Sequence, residues 1–372
     1  MSRAHVYISG QKVGYWPYGY NSFHFDITEY LKPGQKNTLA VRLENLPESS
    51  RWYPGAGLYR NVHLIVTEDA YIPVWGTYIT TPSVNEKFAK VNVLTKVVLP
   101  EGADPAKYSV ETSVWNPNKQ KLTAVRTSLA QMRYNNDRAE QEFVIQDPSL
   151  WSPEMPALYS AETRLYEGDQ LKDVYTTPFG IRSIEIIPDK GFFLNGKRTV
   201  FKGVCNHHDL GPLGAAVNDA AIRRQIRILK DMGCNAIRTS HNMPAPELVR
   251  ACDEMGMMVM AESFDEWNVA KCKNGYNLLF DEWAEKDLVN LLHNFRNNPS
   301  VVMWCIGNEV PNQWNEGDCK IAKWLQDICH REDPTRPVTQ GMDAPDAVVN
   351  NNFAAVMDVA GFNYRPFKYK VN

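Results

Sequence analysis

What the sequence lacks narrows its reading first. No apolar run approaches the ~20 residues that cross a bilayer; the richest, MGMMVMA around Met257, is far shorter. Basic residues are not in excess, since 40 Lys and Arg face 43 Asp and Glu for a formal net charge of -3. A nucleic-acid binder needs a positive footprint, so neither nucleic acid nor a membrane is an expected partner. There is no phosphate-cradling loop, no serine nucleophile elbow and no dinucleotide fingerprint. Cysteine is absent before Cys205, and the seven present show neither CxxC nor Cys/His zinc spacing. Their odd number and apolar surroundings point to buried thiols rather than a disulfide framework.

What is present is ordinary globular chemistry. The 372 residues are 44% hydrophobic and 22% charged, enough for two or three domains with a substantial core. Ten Trp and seventeen Tyr are many. Sugars stack on aromatic faces, although large β-rich cores use them too.

The patterning changes along the chain. Phe23, Phe25 and Ile27 alternate with His24, Asp26 and Thr28, the period of a half-buried strand. VYIS, TLAVRL and NVHLIV continue the style, with KPGQ as a turn. Between residues 71 and 178 the runs KVNVLTKVVL, YSVETSVW, LTAVRTSLAQM, EQEFVIQ and LYSAETRLYE predict short strands separated by NPN, EGAD and EGDQ. That rhythm suits an immunoglobulin-like sandwich. After Pro178, two lead-in strand stretches give way to alternating strands and helices. VFKGVCNHH, NAIRTSH, MMVMAES, VVMWCIGNE, PVTQGM and DVAGFNY read as six strands. Between them lie helices with apolar residues at helical spacing, such as Ile222, Ile226 and Leu229, or Ala284, Leu288, Leu291, Leu292 and Phe295. The expected fold is therefore multidomain, β followed by α/β. Residues 1–69 form a β-rich segment, 70–178 an immunoglobulin-like β-sandwich, and 179–372 an incomplete (β/α)8 barrel with about six strands.

In such barrels the chemistry gathers at the C-terminal ends of the strands. Five of those ends are polar here: His207, His208 and Asp209; Arg238, Ser240, His241 and Asn242; Glu262, Asp265 and Glu266; Asn308 and Glu309; Asn363, Tyr364 and Arg365. Packing alone explains that poorly, because each buried polar group needs a partner. Carboxylates without a cofactor motif point to acid-base hydrolysis, and the aromatics suggest glycosides.

The stretches RWYPGAGLYRNVHL, LWSPEMPALY, PFGIRSIEI, KGVCNHHDLGPLGAAV, GCNAIRTSHN, AESFDEW, RNNPSVVMWCIGNE and DPTRPVT, in this order, resemble glycoside hydrolase family 2. Within it they are most similar to bacterial β-galactosidases, from about Tyr7 to Arg365. The resemblance implies a jelly-roll sugar-binding-like first domain, present in part, then the sandwich and the barrel. It assigns the general acid/base to Glu309 and the contact with the sugar 2-hydroxyl to Asn308. His241, Tyr364, His208, Asp209, Arg51 and Trp52 become candidate substrate-binding residues, with Arg238 and Asp265 in support. Glu266 matches a magnesium ligand of some relatives, but Asn268 stands where their histidine is; no cofactor is expected, with a divalent cation such as Mg left as an alternative. The nucleophile of the family comes from a seventh barrel strand, and no Glu follows Glu332 here. The expectation is thus a retaining exo-glycosidase, foremost a β-galactosidase acting on a small glycoside or oligosaccharide, seen as a fragment truncated at both ends. Such a fragment is expected to be inactive alone, and its complete parent to be a possible homo-oligomer. MSRAHVYISG carries no signal-peptide core, and the compartment stays open between cytoplasm and periplasm. β-Glucuronidase, β-mannosidase or a non-catalytic sugar-binding protein are the alternatives.

Overall fold

The computed structural model describes residues 2–52, 55–131 and 137–368. It opens with three antiparallel strands, β1 (Ala4–Ile8), β2 (Gln11–Trp16) and β3 (Leu39–Arg42), in the order β2-β1-β3. Two expected strands of this segment are not strands. Phe23 and Phe25 do pack together and Phe23 stacks on Trp16, but the Asp26 carboxylate takes the N–H and hydroxyl of Thr28 and turns the chain locally. That side-chain bond competes with a ladder. Residues 61–66 keep strand-like composition yet pair with nothing regular, and Leu64 and Val66 are exposed. Alternation supplies a face but not a neighbour, and Asn61 is instead tied to the Glu247 carboxylate of the barrel.

The middle of the chain is a two-sheet sandwich. β4 (Thr77–Val84), β5 (Phe88–Lys96) and β8 (Arg138–Gln146) form one sheet, in the order β4-β5-β8. β6 (Tyr108–Trp115), β7 (Lys121–Ser128), β9 (Tyr159–Glu167) and β10 (Gln170–Phe179) form the other, in the order β10-β9-β6-β7. Period-two alternation puts Val91, Val93, Phe143 and Ile145 of one sheet against Val114, Tyr159 and Ala161 of the other. Met132, at the end of the LTAVRTSLAQM run, lies outside the described residues. β4 and β10 complete the sheets without having stood out in the sequence.

A small antiparallel sheet, β11 (Ile184–Ile187), β12 (Gly191–Leu194) and β13 (Lys197–Arg198), leads into the barrel. Six parallel strands then lie side by side in chain order: β14 (Gly203–Asn206), β15 (Ala236–Thr239), β16 (Met258–Glu262), β17 (Val301–Asn308), β18 (Val338–Met342) and β19 (Val359–Phe362). Helices α1 (Asp219–Asp231), α2 (Pro246–Met255), α3 (Phe280–Phe295), α4 (Cys319–Glu332) and α5 (Pro345–Asn350) fill the connections. The Asn218 side chain caps α1 by accepting the N–H of Ala221 at 3.0 Å. Pro246 opens α2 and Gly256, at φ +73°, closes it. Consecutive parallel strands with helices between them are part of a (β/α)8 barrel, open between β14 and β19 among the described residues.

Every residue of β17 is buried, as expected of a parallel strand covered on both faces. Ile306, fully buried there, contributes roughly 1.5–3 kcal/mol through burial alone. The β-rich segments grip the barrel through polar anchors. Trp16 and Asn21 both reach Asp287 of α3, at 2.8 and 2.7 Å. Tyr18 donates to the Ser263 carbonyl at 2.8 Å. From the sandwich side, Arg182 donates to the carbonyls of Pro299 and Val301, and Tyr78 to the Asp333 carboxylate. All seven cysteines are free.

Candidate active site

The ends of the barrel strands carry one connected polar network. Its base is Glu262, the last residue of β16 and fully buried. A buried carboxylate demands partners, and it receives Arg238 Nε and Nη2 at 2.5 and 3.2 Å and His241 Nδ1 at 2.9 Å. Burial works against the charge of Arg238, but the Glu262 carboxylate outweighs it and holds the guanidinium above its usual range. Gly341 of β18 makes room for that guanidinium, because a Cβ there would run into Arg238 Nη2.

Arg238 hands the network on to the next strands. It donates to Asn308 Oδ1 at 3.0 Å and to Asn363 Oδ1 at 3.1 Å. Asn363 Nδ2 in turn donates to Asn308 Oδ1 at 3.0 Å and to Glu309 Oε1 at 2.8 Å. These contacts orient both amides. The backbone of Glu309 is left-handed, at φ +44°, and its N–H donates to the Gly341 carbonyl at 2.7 Å. An adjacent Asn-Glu pair can therefore present both side chains at one end of the sheet: β17 stops at Asn308 and the backbone turns at Glu309. Tyr364 stands beside Glu309, 72% exposed. The charge of Glu309, with some burial, pushes its hydroxyl above the usual phenol range.

A second cluster flanks the pair. Asp265 takes Arg51 Nε and Nη2 at 2.8 and 2.6 Å, Lys271 Nζ at 3.1 Å and Asn308 Nδ2 at 3.2 Å. Burial would raise its carboxyl, yet Arg51 and Lys271 bring it below the usual range. The Arg51 guanidinium lies 4.6 Å from the Trp52 ring centre. Trp52 in turn sits 4.5 Å from His207 and 5.4 Å from His241. The loop of the first segment thus reaches over the barrel mouth. His207 is pushed below the usual imidazole range by burial and by the neighbouring charge of His241.

Three candidates stand apart from this network. His208 packs its ring on Tyr20 at 5.0 Å and lines a cleft with Tyr59, Arg60, Thr239 and Asn242, to the side of Glu309. Asp209 acts on His207 through its charge. Glu266 turns Oε2 to the amides of Lys271 and Cys272 and Oε1 to that of Asn277. Asn268 gives its carbonyl oxygen to the Asn312 amide. A carboxylate committed to three loop amides does not fit the role of a cation ligand, and no group of three His, Cys, Asp or Glu suited to a metal exists among the described residues.

Lys271 is the residue that the sequence did not mark. It follows no strand end and matches no motif; its place depends on how the loop folds back. Asn363 was visible only as one polar strand end, and its bridging of Asn308 and Glu309 needed the fold.

The family model "Glycosyl hydrolases family 2, TIM barrel domain" matches residues 185–365, and the model "Glycosyl hydrolases family 2" matches residues 71–182. A β-galactosidase of Bacteroides ovatus is 40% identical over 96% of this chain and 46% of its own length. A putative β-glucuronidase of Formosa agariphila is 35% identical over 96% of this chain and 32% of its own. The crystal structure of a family 2 glycosyl hydrolase from Bacteroides cellulosilyticus superposes with a TM-score of 0.94 at 36% identity, covering all of this chain and 48% of that one. The chain spans about half the length, or less, of these relatives.

Proposed function

We propose that this chain, which belongs to glycoside hydrolase family 2, supplies the acid/base half of a retaining exo-glycosidase site. The observation that carries the reading is the Asn308–Glu309 pair at the end of a fully buried strand, with both side chains oriented by Asn363. Glu309 would protonate the departing glycosidic oxygen and later take a proton from the attacking water. Asn308, held by Arg238, would bind the sugar 2-hydroxyl. His241, held by Glu262, and the Trp52 ring would line the sugar's position, with Tyr364 at its open side. Arg51 and Asp265 would fix the loop that closes over it.

A retaining mechanism needs a second carboxylate about 5–5.5 Å from the first. Glu262 and Asp265 are both committed to cations, so neither is offered as the nucleophile. We place that group on a strand added to the free edge of β19, and the activity is then a property of the full-length protein. The division at residues 69/70 and 178/179 is retained with this proposal, supported by the passage from one sheet to another near each point, β3 to β4 and β10 to β11, and by the limits of the two family models.

Galactose is the favoured sugar, because a β-galactosidase is 40% identical over nearly the whole chain. Glucuronic acid is the second reading, on the 35% identity to a putative β-glucuronidase. A panel of nitrophenyl β-galactoside, β-glucuronide and β-mannoside separates them by kcat/KM. In the full-length protein, Glu309→Gln is expected to reduce turnover of an alkyl glycoside by about 10²–10⁴-fold, the usual contribution of a general acid. A dinitrophenyl glycoside, whose leaving group needs no proton, should lose far less in the glycosylation step, read as kcat/KM. Equal losses on the two would reject the assignment.

A further inference from the structure

β16 ends at Glu262, opposite Cys305, so no β16 residue lies beside the end of β17, and the register to β18 slips between Cys305 and Asn308. The carbonyls there need other donors. The loop after β16 provides them in sequence. The N–H and hydroxyl of Ser263 reach the Cys305 carbonyl at 2.9 and 3.2 Å. Trp267 Nε1 reaches the Ile306 carbonyl at 2.9 Å. Lys271 Nζ reaches the Asn308 carbonyl at 2.5 Å. The loop that carries Lys271 is itself rigid by construction: Glu266 binds three of its amides, and Gly275 leaves no Cβ in the way of that carboxylate.

We propose that Lys271 is a positioning residue for Glu309, gripping the Asn308–Glu309 peptide by its oxygen while Gly341 grips it by its N–H. The proposal rests on Glu309 being the acid/base. That peptide sets where the Glu309 side chain starts, and its left-handed backbone is a conformation a glutamate does not hold cheaply. Two opposed hydrogen bonds, one from a partly buried ammonium, hold it there. The same ammonium bonds Asp265 and so couples the peptide to Arg51 and the loop over the mouth. The charged groups around Lys271 include Asp265, Arg51 and Glu309, and the Glu266 carboxylate accepts its backbone N–H. Replacement of the lysine would leave the Asn308 carbonyl without this donor and let Glu309 drift, and small misplacements of a catalytic group cost on the order of 10²-fold.

The test is a leaving-group comparison in the full-length protein, with Glu309→Gln measured alongside. Lys271→Met is expected to lower kcat/KM for an alkyl glycoside by about 10²-fold while a dinitrophenyl glycoside falls by no more than about threefold, because proton donation matters less there. Lys271→Arg, which keeps a charged donor, should recover most of the loss. Where the methionine variant fails to fold, Lys271→Gln is carried through the same comparison. Equal losses on both substrates, or wild-type rates throughout, would overturn the inference. If Glu309→Gln shows the leaving-group split and the Lys271 variants do not, only the positioning role fails. If Glu309→Gln shows no split, the acid/base reading fails first.

Discussion

Asp333 and Asp287 are both fully buried aspartates at seams between the barrel and the β-rich segments, and they are built in opposite ways. Asp333 meets a cation: Arg336 Nη1 at 2.6 Å, joined by Tyr78, Trp304 and Thr335 as donors. Burial raises its carboxyl, but Arg336 prevails and the group lies below the usual carboxylate range. Among the described residues, Asp287 is held at close range only by neutral donors, Trp16, Asn21 and Tyr276. Burial dominates there, and the carboxyl is pushed up to about 6. Two seams with similar hydrogen bonding therefore respond oppositely to pH, because hydrogen bonds alone do not offset the loss of hydration that a charge suffers.

The largest effect should come from removing the cation. Arg336→Met leaves Asp333 buried and charged without its partner, and a loss of about 3–5 kcal/mol is expected in denaturant unfolding. A loss under about 1 kcal/mol would place the strength of that seam elsewhere. Next is the pH dependence at Asp287. Its folded pKa lies above the unfolded value of about 3.9. The stability it contributes is complete below that value and is lost as pH rises through about 6. The expected decline is on the order of 3 kcal/mol between pH 4 and 7, and Asp287→Asn should flatten it. An unchanged slope would show that another group carries the titration, Asp253 being the first to examine because it too is raised to about 6 by burial. Asp333 contributes with the reverse sign: its stability is present above the unfolded pKa and lost as pH falls through its lowered folded one. The smallest effect is Trp16→Phe, which keeps a ring against Phe23 and Trp283 but deletes one donor to Asp287. About 1.5 kcal/mol should be lost at pH 8, where the acceptor is charged, and less at pH 5. A cost independent of pH would mean that packing, not the hydrogen bond, is what Trp16 provides.

Much of the barrel was legible because each strand and helix carries its own period and punctuation. The Pro246 and Gly256 that bound α2 are local punctuation of this kind, and the six strand stretches all contain observed strands. The first segment was less legible. Residues 23–28 and 61–66 have the alternation of strands, but alternation does not say whether a neighbour exists. Helix α5 is only six residues long and too short to display a period. At the site, the strand ends named Arg238, His241, Asp265, Asn308 and Glu309, and the fold connects them. The roles of Lys271 and Asn363 were hidden because each acts on another residue rather than belonging to a pattern. Glu266 is the reverse case: its place in a motif said nothing of the three loop amides that its carboxylate accepts.

The parallel sheet has one further consequence, for how the molecule behaves in company. Among the described residues, β14 and β19 each have a sheet neighbour on one side only, and Gln340 of β18, fully buried, has neither end of its amide bonded. Such a sheet is a surface with sticky ends, ready to accept another strand from whatever chain arrives. The net charge of -3 offers little colloidal repulsion to keep copies apart. Self-association of the isolated 372 residues should therefore climb with concentration and respond only weakly to added salt, as expected for contacts made by main chain and apolar side chains rather than by charge.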